Sequence, residues 1–417
     1  MSTSRTARQS RPNLTSLLYS LPVRRLKNIL VHVAPNITLG AVNELHSTQL
    51  TRLYKLNMSD ERNLLLSFAP SLAVRLLRQE GQLLSSEAAL INFISRSETR
   101  ESGAGSKCEN KEGMSLELLV PRLLKHSSNN REMAYPYSIF EEPAGQPLST
   151  LAAHLSGPER RDIDRQIGAM TKALAALTSP NGTFGAASRV FTEPNANTTA
   201  GPQAPAVAPK VGFKTWSEAF NALLEGILRD GEDISVLLPY DVIRARCERL
   251  SWHLDAITLP RLTILDIGSE ANVMVSYDKS KASSSGSADA KITGLRSWAQ
   301  GVFGDPLIAD VFTDPSEGFL EGWRGEGRTM TEGEENADVR MMLYRCYKAV
   351  VAIVTEHYRP QPDSSQKELK GRRKLTSVLA ELEKTDAMND GGGKRSRSPS
   401  GFGEEASKRP KLESDTA

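Results

Sequence analysis

The chain has 417 residues, 39% hydrophobic and 24% charged, enough for one large or two ordinary globular units with polar segments left over. Its formal net charge of +2 excludes a whole-surface electrostatic grip on nucleic acid, so basic residues matter only where they cluster. Cys108, Cys247 and Cys346 are far apart and odd in number, which argues against a disulfide framework or a zinc site.

The first residues, MSTSRTARQSRPNLTSLL, are basic and Ser-rich, without the apolar core of a secretory signal; their lack of acids leaves a mitochondrial-type leader open. No run approaches the roughly 18 apolar residues that a membrane span needs, and no membrane partner is expected. Leu53–Leu56 and Asn63–Phe68 read as short strands joined by a Ser-Asp-Glu-Arg turn. Leu72–Ile94 has helical apolar spacing, and the Gly/Ser-rich stretch Ser97–Gly113 reads as a loop. Tyr137–Phe140 reads as a strand and Glu159–Leu177 as a long helix, stopped by Ser-Pro-Asn-Gly. Thr192–Lys210 is rich in Pro and cannot continue a helix.

Trp216–Arg229 and Tyr240–Leu254 follow as amphipathic helices, then Leu262–Leu265, Asn272–Ser276 and Ile292–Leu295 as strands. Lys279–Ala290 is Ser-rich, Gly325–Asn336 Gly/Glu-rich, and Arg340–Tyr358 a strongly apolar helix. The layout is α+β and two-lobed: an extension (1–38), a small lobe of strands plus one helix (39–145), a mostly helical large lobe (146–358) and a basic tail expected to be disordered (359–417).

Several phrases in this order resemble the fungal branch of the aminoglycoside phosphotransferase and choline kinase-like family, across about residues 40 to 358. LLLSFAPSLAVRLLRQEGQLLSSEAALINFI (64–94) resembles the strand that carries the nucleotide lysine and the helix after it. RRDIDRQIGAMTKALAALTSPNGTFG (160–185) and TWSEAFNALLEGILRDGEDISVLLPYDVIRARCERL (215–250) resemble the first large-lobe helix and the helical insertion. PRLTILDIGSEANVMVS (260–276) sits where the catalytic loop belongs, and ITGLRSWAQGVFGDPL (292–307) where the metal-binding aspartate strand belongs. The resemblance implies a two-lobed protein-kinase-like fold.

It also implies a set of chemical positions. Phosphoryl transfer needs a Gly-rich turn near the phosphates, a lysine held by a glutamate, an aspartate that orients the acceptor, and oxygen ligands for Mg²⁺. Val42–Gln49, where the turn should lie, has no glycine. The lysine position holds Ser67. The helix glutamate is Glu87, with Arg75 or Arg78 as substitute partners or a plain exposed position as the bland reading. In the loop, Leu265 takes the histidine position and Ile267 the base position; Asp266 is one residue out of register, either a displaced base or a turn-capping aspartate, and Glu270 is similarly ambiguous. Asn272 is retained, the second metal aspartate is Ser297, and Asp305 resembles a helix cap.

The joint change at Ser67, Ile267 and Ser297 implies a catalytically impaired kinase-fold protein needing no cofactor, a binding or regulatory module with an unidentified protein partner. The alternative is an ATP- and Mg²⁺-dependent phosphotransferase acting on an alcohol, with Asp266 as catalytic residue and Glu87 and Asn272 at the cofactor. The tail carries two basic clusters, Lys394-Arg395-Ser396-Arg397 and Lys408-Arg409-Pro410-Lys411, spaced as a bipartite nuclear localisation signal for an import receptor. Ser398-Pro399 resembles a proline-directed phosphorylation site beside the first cluster. Direct nucleic-acid binding ranks last, because bases outside the tail are interleaved with acids.

Overall fold

The computed structural model describes residues 21–45, 50–70, 74–103, 115–129, 131–133, 135–191, 212–278, 289–327 and 329–390; the basic clusters at 394–397 and 408–411 and Ser398 lie outside them. The chain order is α1 (Val23–Val33), β1 (Leu39–Leu45), β2 (Arg52–Met58), β3 (Asn63–Phe68), α2 (Leu83–Gly103), β4 (Leu123–Ser127), β5 (Tyr137–Glu141), β6 (Gln146–Pro147), α3 (Leu148–Leu151), α4 (Gly157–Ala176), β7 (Gly185–Ala186), α5 (Ala187–Val190), α6 (Trp216–Asp233), α7 (Tyr240–Leu250), β8 (Arg261–Ile264), β9 (Val273–Asp278), β10 (Asp289–Leu295) and β11 (Gly301–Gly304). Three helices close it: α8 (Glu317–Arg324), α9 (Ala337–Tyr358) and α10 (Ser364–Asp390).

Strands β1 to β5 form an antiparallel sheet in the order β1-β2-β3-β5-β4. The β2–β3 turn uses Glu61 at φ 66°, and the Arg62 amide donates to the Asp60 carboxylate at 3.3 Å. One face of the sheet, bearing Tyr54, Leu56, Leu64 and Leu66, packs with Leu26, Ile29 and Leu30 of α1. Those three fall at helical spacing, each worth about 1.5–3 kcal/mol when buried. The predicted extension 1–38 therefore contributes a helix to the small lobe. The opposite face, bearing Leu53 and Leu65, joins α2 and the large lobe in the main core.

The large lobe is helical around two small sheets, β10-β9-β6 and β7-β11-β8. Ser156 and Glu159 form a capping box at the start of α4, and Thr215 accepts from the Glu218 amide at the start of α6. Helices α4 and α8 cross so closely that a Cβ on Gly168 or Gly322 would overlap the other helix's backbone. Beneath β11, Asp305 caps the next turn through the Leu307 amide at 3.1 Å, as the sequence leads one to expect. The same carboxylate accepts from Arg340 Nε and from the Tyr344 hydroxyl, both at 2.8 Å, and Trp216 Nε1 donates to Tyr344 at 2.7 Å. Arg340 is fully buried; its other nitrogens reach the carbonyls of Gly333 and Glu332.

Three predicted elements change. The stretch expected to be a loop from Ser97 is helical as far as Gly103, because α2 continues through its first residues. The helix over Leu72–Ile94 begins instead at Leu83: Arg78 and Glu80 form a separate turn, and the Arg78 backbone amide donates to Asp230 of α6 at 2.9 Å. The segment expected to be disordered from 359 begins with α10, whose Leu375, Val378 and Leu382 are buried against α9. Their spacing makes one apolar stripe along an otherwise charged helix. None of the described helices is long and apolar enough to cross a membrane.

Candidate functional site

The site lies where the inner face of the sheet, α2, the β8–β9 loop and the segment after β10 converge. Ser67 pairs across the sheet with Leu53, so both share the face opposite α1. It is 1% exposed, and its hydroxyl donates to Glu87 Oε2 over a long 3.4 Å. Glu87, on α2, is 2% exposed, not an exposed helix residue. Its Oε1 accepts from the Ser297 hydroxyl and from the Trp298 amide, both at 2.9 Å. The two serines that the sequence resemblance sets at the lysine and metal-acid positions thus meet on one carboxylate. Burial pushes the Glu87 carboxyl up from its ordinary value; the bonds from Trp298, Ser297 and Ser67 pull the other way. Arg78 is engaged elsewhere, with Asp230 at 2.6 Å and Asp233 at 2.7 Å, and Arg75 lies over the Tyr358 ring at 5.7 Å.

Asn272 is fully buried at the start of β9. Its Oδ1 accepts from the Ser297 amide at 2.9 Å, and its Nδ2 donates to the Ser297 carbonyl at 3.1 Å. The side chain matches a peptide edge and holds the Ser297 backbone against the loop. The turn before it is closed by Ile267 N to Ile264 O (3.3 Å) and Ser269 N to Asp266 O (2.9 Å). Ile267 sits in the core at 1% exposure, while Asp266 beside it is half-buried. Glu270 is paired with Arg160, which also holds Asp164 at 3.0 Å.

A cation missed by the sequence reading occupies the same sheet face. Lys55 pairs across β2–β3 with Leu65, and its Nζ meets Glu142, just after β5, at 2.7 Å. Arg296, immediately before Ser297, is half-buried and makes no side-chain hydrogen bond or ion pair among the described residues. Burial lowers its pKa, and the Glu142 charge raises it. The signal for Lys55 was a cation flanked on both sides by apolar residues, Tyr54 and Leu56, inside β2.

No family model and no curated protein matches the sequence. Solved structures do. A protein assigned as a fructosamine-3-kinase from Thermobifida fusca YX-ER1 superposes with a TM-score of 0.52 at 13% identity, over 86% of this chain and 98% of that one. A protein assigned as an aminoglycoside phosphotransferase from Ralstonia eutropha JMP134 gives 0.52 at 11% identity, over 88% and 99%. The fold is aminoglycoside-phosphotransferase-like. At these identities the likeness is one of fold, and chemistry must be argued from the residues.

A kinase-like fold implies a nucleotide and Mg²⁺, and this cluster fits them poorly. Mg²⁺ takes hard oxygens, chiefly carboxylate, phosphate and water. Ser297 offers a hydroxyl already donated to Glu87, and Asn272 turns its oxygen to a backbone amide. Among the described residues no three His, Cys, Asp or Glu side chains gather as a metal site. What the arrangement does is join α2 to the large lobe through a buried hydrogen-bond cluster.

Proposed function

We propose that this aminoglycoside-phosphotransferase-like chain is a pseudokinase: its cleft does not transfer phosphate, and it serves as a nuclear binding or regulatory module. The observation that carries the reading is the double occupancy of Glu87 by Ser67 and Ser297. In a phosphotransferase those positions supply a cation and a metal-binding acid, and losing one such charge costs on the order of 10²-fold or more in rate. Here three positions changed together, with buried Ile267 in place of the base. Removing the charges jointly leaves no unpaired buried cation in the core, which is how a fold is retained without its chemistry. The nuclear part rests on the two basic clusters of the tail and the import receptor they would engage.

The test is a thermal-shift titration of the full chain with ATP, with and without Mg²⁺, beside a phosphate-release assay. The expected result is no Mg²⁺-dependent shift and no turnover. A ligand at 100 times its Kd adds about 2.7 kcal/mol, so binding would be plain. A Mg²⁺-dependent shift abolished by Asp266→Ala would overturn the reading in favour of a phosphotransferase with relocated residues. For location, a fluorescent fusion should be nuclear and should redistribute when Lys394, Arg395, Arg397, Lys408, Arg409 and Lys411 are changed to alanine.

A further inference from the structure

A cavity of about 670 Å³ opens beside the closed cluster, between the first turn of α2, β11, α9 and the segment joining α9 to α10. Its volume falls among small-ligand sites. Ser67, Glu87, Asn272 and Ser297 do not line it. Its floor is apolar, with Leu83, Leu223, Leu265, Val302 and Val351, while Gln79, Gln82, Gln300 and Gln361 bring amides to its wall. Such a wall suits hydroxyls, which both donate and accept.

The charges lining it do not cancel. Arg359 spends its guanidinium on both oxygens of Glu80, at 2.7 and 2.8 Å. Lys367 is held by Asp363 at 3.0 Å, while Glu356 accepts from Ser364 and keeps its charge, so the lining carries three cations, Arg75, Arg359 and Lys367, against two acids, Glu80 and Glu356. Arg75 has no ion-pair partner among the described residues; it rests over the Tyr358 ring. Guanidinium is the side chain best shaped for a carboxylate or phosphate. A second, independent observation also points to a ligand. The Thr51 hydroxyl lines the cavity at 2% exposure and has no hydrogen-bond partner among the described residues. Buried polar atoms are nearly always satisfied, so an orphan beside an open volume marks where a guest's polar atom belongs.

We infer that this cavity binds a small hydroxylated organic anion, a carboxylate or a phosphate monoester, with Arg75 as the charge contact and Thr51 as a buried hydrogen-bond contact. The inference does not depend on whether the neighbouring cluster is catalytically silent.

The experiment titrates the full chain at low salt with four six-carbon probes of similar size: glucose 6-phosphate, gluconate, glucose and glucosamine. The two anions should bind at least tenfold more tightly than glucose, and the cation not at all. Glucose 6-phosphate ahead of gluconate identifies a phosphate ligand, and the reverse order a carboxylate. Arg75→Gln, at an exposed position, should leave the unliganded Tm unchanged and weaken the anions about tenfold. Leu83→Trp, which fills the floor, should abolish binding. If none of the probes binds, or glucose and glucosamine match the anions, or Arg75→Gln binds the anions as tightly as wild type, the inference fails. An ATP–Mg²⁺ response that Arg75→Gln leaves intact would overturn the proposed function and leave this inference standing.

Discussion

Ser297 and Glu87 lie on different lobes and are joined by a 2.9 Å hydrogen bond between a hydroxyl and a carboxylate that are both almost wholly buried. This bond and the Trp298 amide on the same oxygen fix how α2 docks on the large lobe. Ser67 adds a longer contact to the other oxygen, 3.4 Å.

The first prediction separates the two serines. Ser297→Ala removes a short buried bond and one of three donors to Glu87; the cost should be about 1–3 kcal/mol. Ser67→Ala removes a contact near the limit of a hydrogen bond, and should cost well under half as much. Chemical denaturation of both variants decides it; equal losses would mean that the Ser67 contact is as strong as that of Ser297.

The second concerns pH. The free-chain value for Glu87 is 4.5, and burial raises it in the fold. A raised acid binds its proton more tightly when folded. Its contribution to stability is therefore complete below pH 4.5 and declines as pH climbs through the folded value. Glu87→Gln keeps the shape without the titration. The Tm of wild type minus that of Glu87→Gln should be largest near about pH 4 and shrink towards about pH 8. A difference that stays flat or grows would show that the donors outweigh burial.

A third test addresses Asp305 and Arg340, both fully buried. Asp305→Ala strands the guanidinium and the Tyr344 hydroxyl, and should cost about 3–5 kcal/mol. The paired change Asp305→Leu with Arg340→Met should cost less than that single change, because no charge is left alone. Non-additivity in this cycle would be read from urea midpoints.

The fourth contrasts two helical glycines. A Cβ at Gly371 of α10 would meet Ile353 Cγ1 of α9 at 2.9 Å, whereas a Cβ at Gly226 of α6 meets nothing within 4 Å. Gly226→Ala should stabilise by about 0.5–1 kcal/mol through helix propensity alone. Gly371→Val should destabilise by about 1–3 kcal/mol by forcing α10 off α9. A loss larger than that on removal of residues 364–417, and no change on removing 391–417, would confirm that α10 is part of the folded lobe.

Much of the fold was readable. The strands around Leu53 and Leu65 and the helices starting at Gly157, Trp216 and Ala337 followed from apolar spacing and caps close to their observed bounds. Helix α10 escaped because Leu375, Val378 and Leu382 stand among lysines, arginines and glutamates that lower its mean hydropathy, although their spacing was there to see. The site was legible as positions but not as partners. Ser67, Glu87, Asn272 and Ser297 were singled out, and all four converge. That Glu87 would choose two serines over Arg75 or Arg78 depends on the sheet's placement over the loop, which no local pattern encodes. The cavity is built from segments far apart in the chain, so its lining has no linear signature.

The buried Asp305–Arg340 pair has a consequence for that cavity. Asp305 follows directly on β11, which supplies Gly301 to one wall; Arg340 belongs to α9, which supplies Thr355 to another. The two walls are clamped to each other from below, with Trp216 and Tyr344 braced against the same carboxylate. A guest entering there finds its walls already set, and little of its binding energy is lost to ordering them.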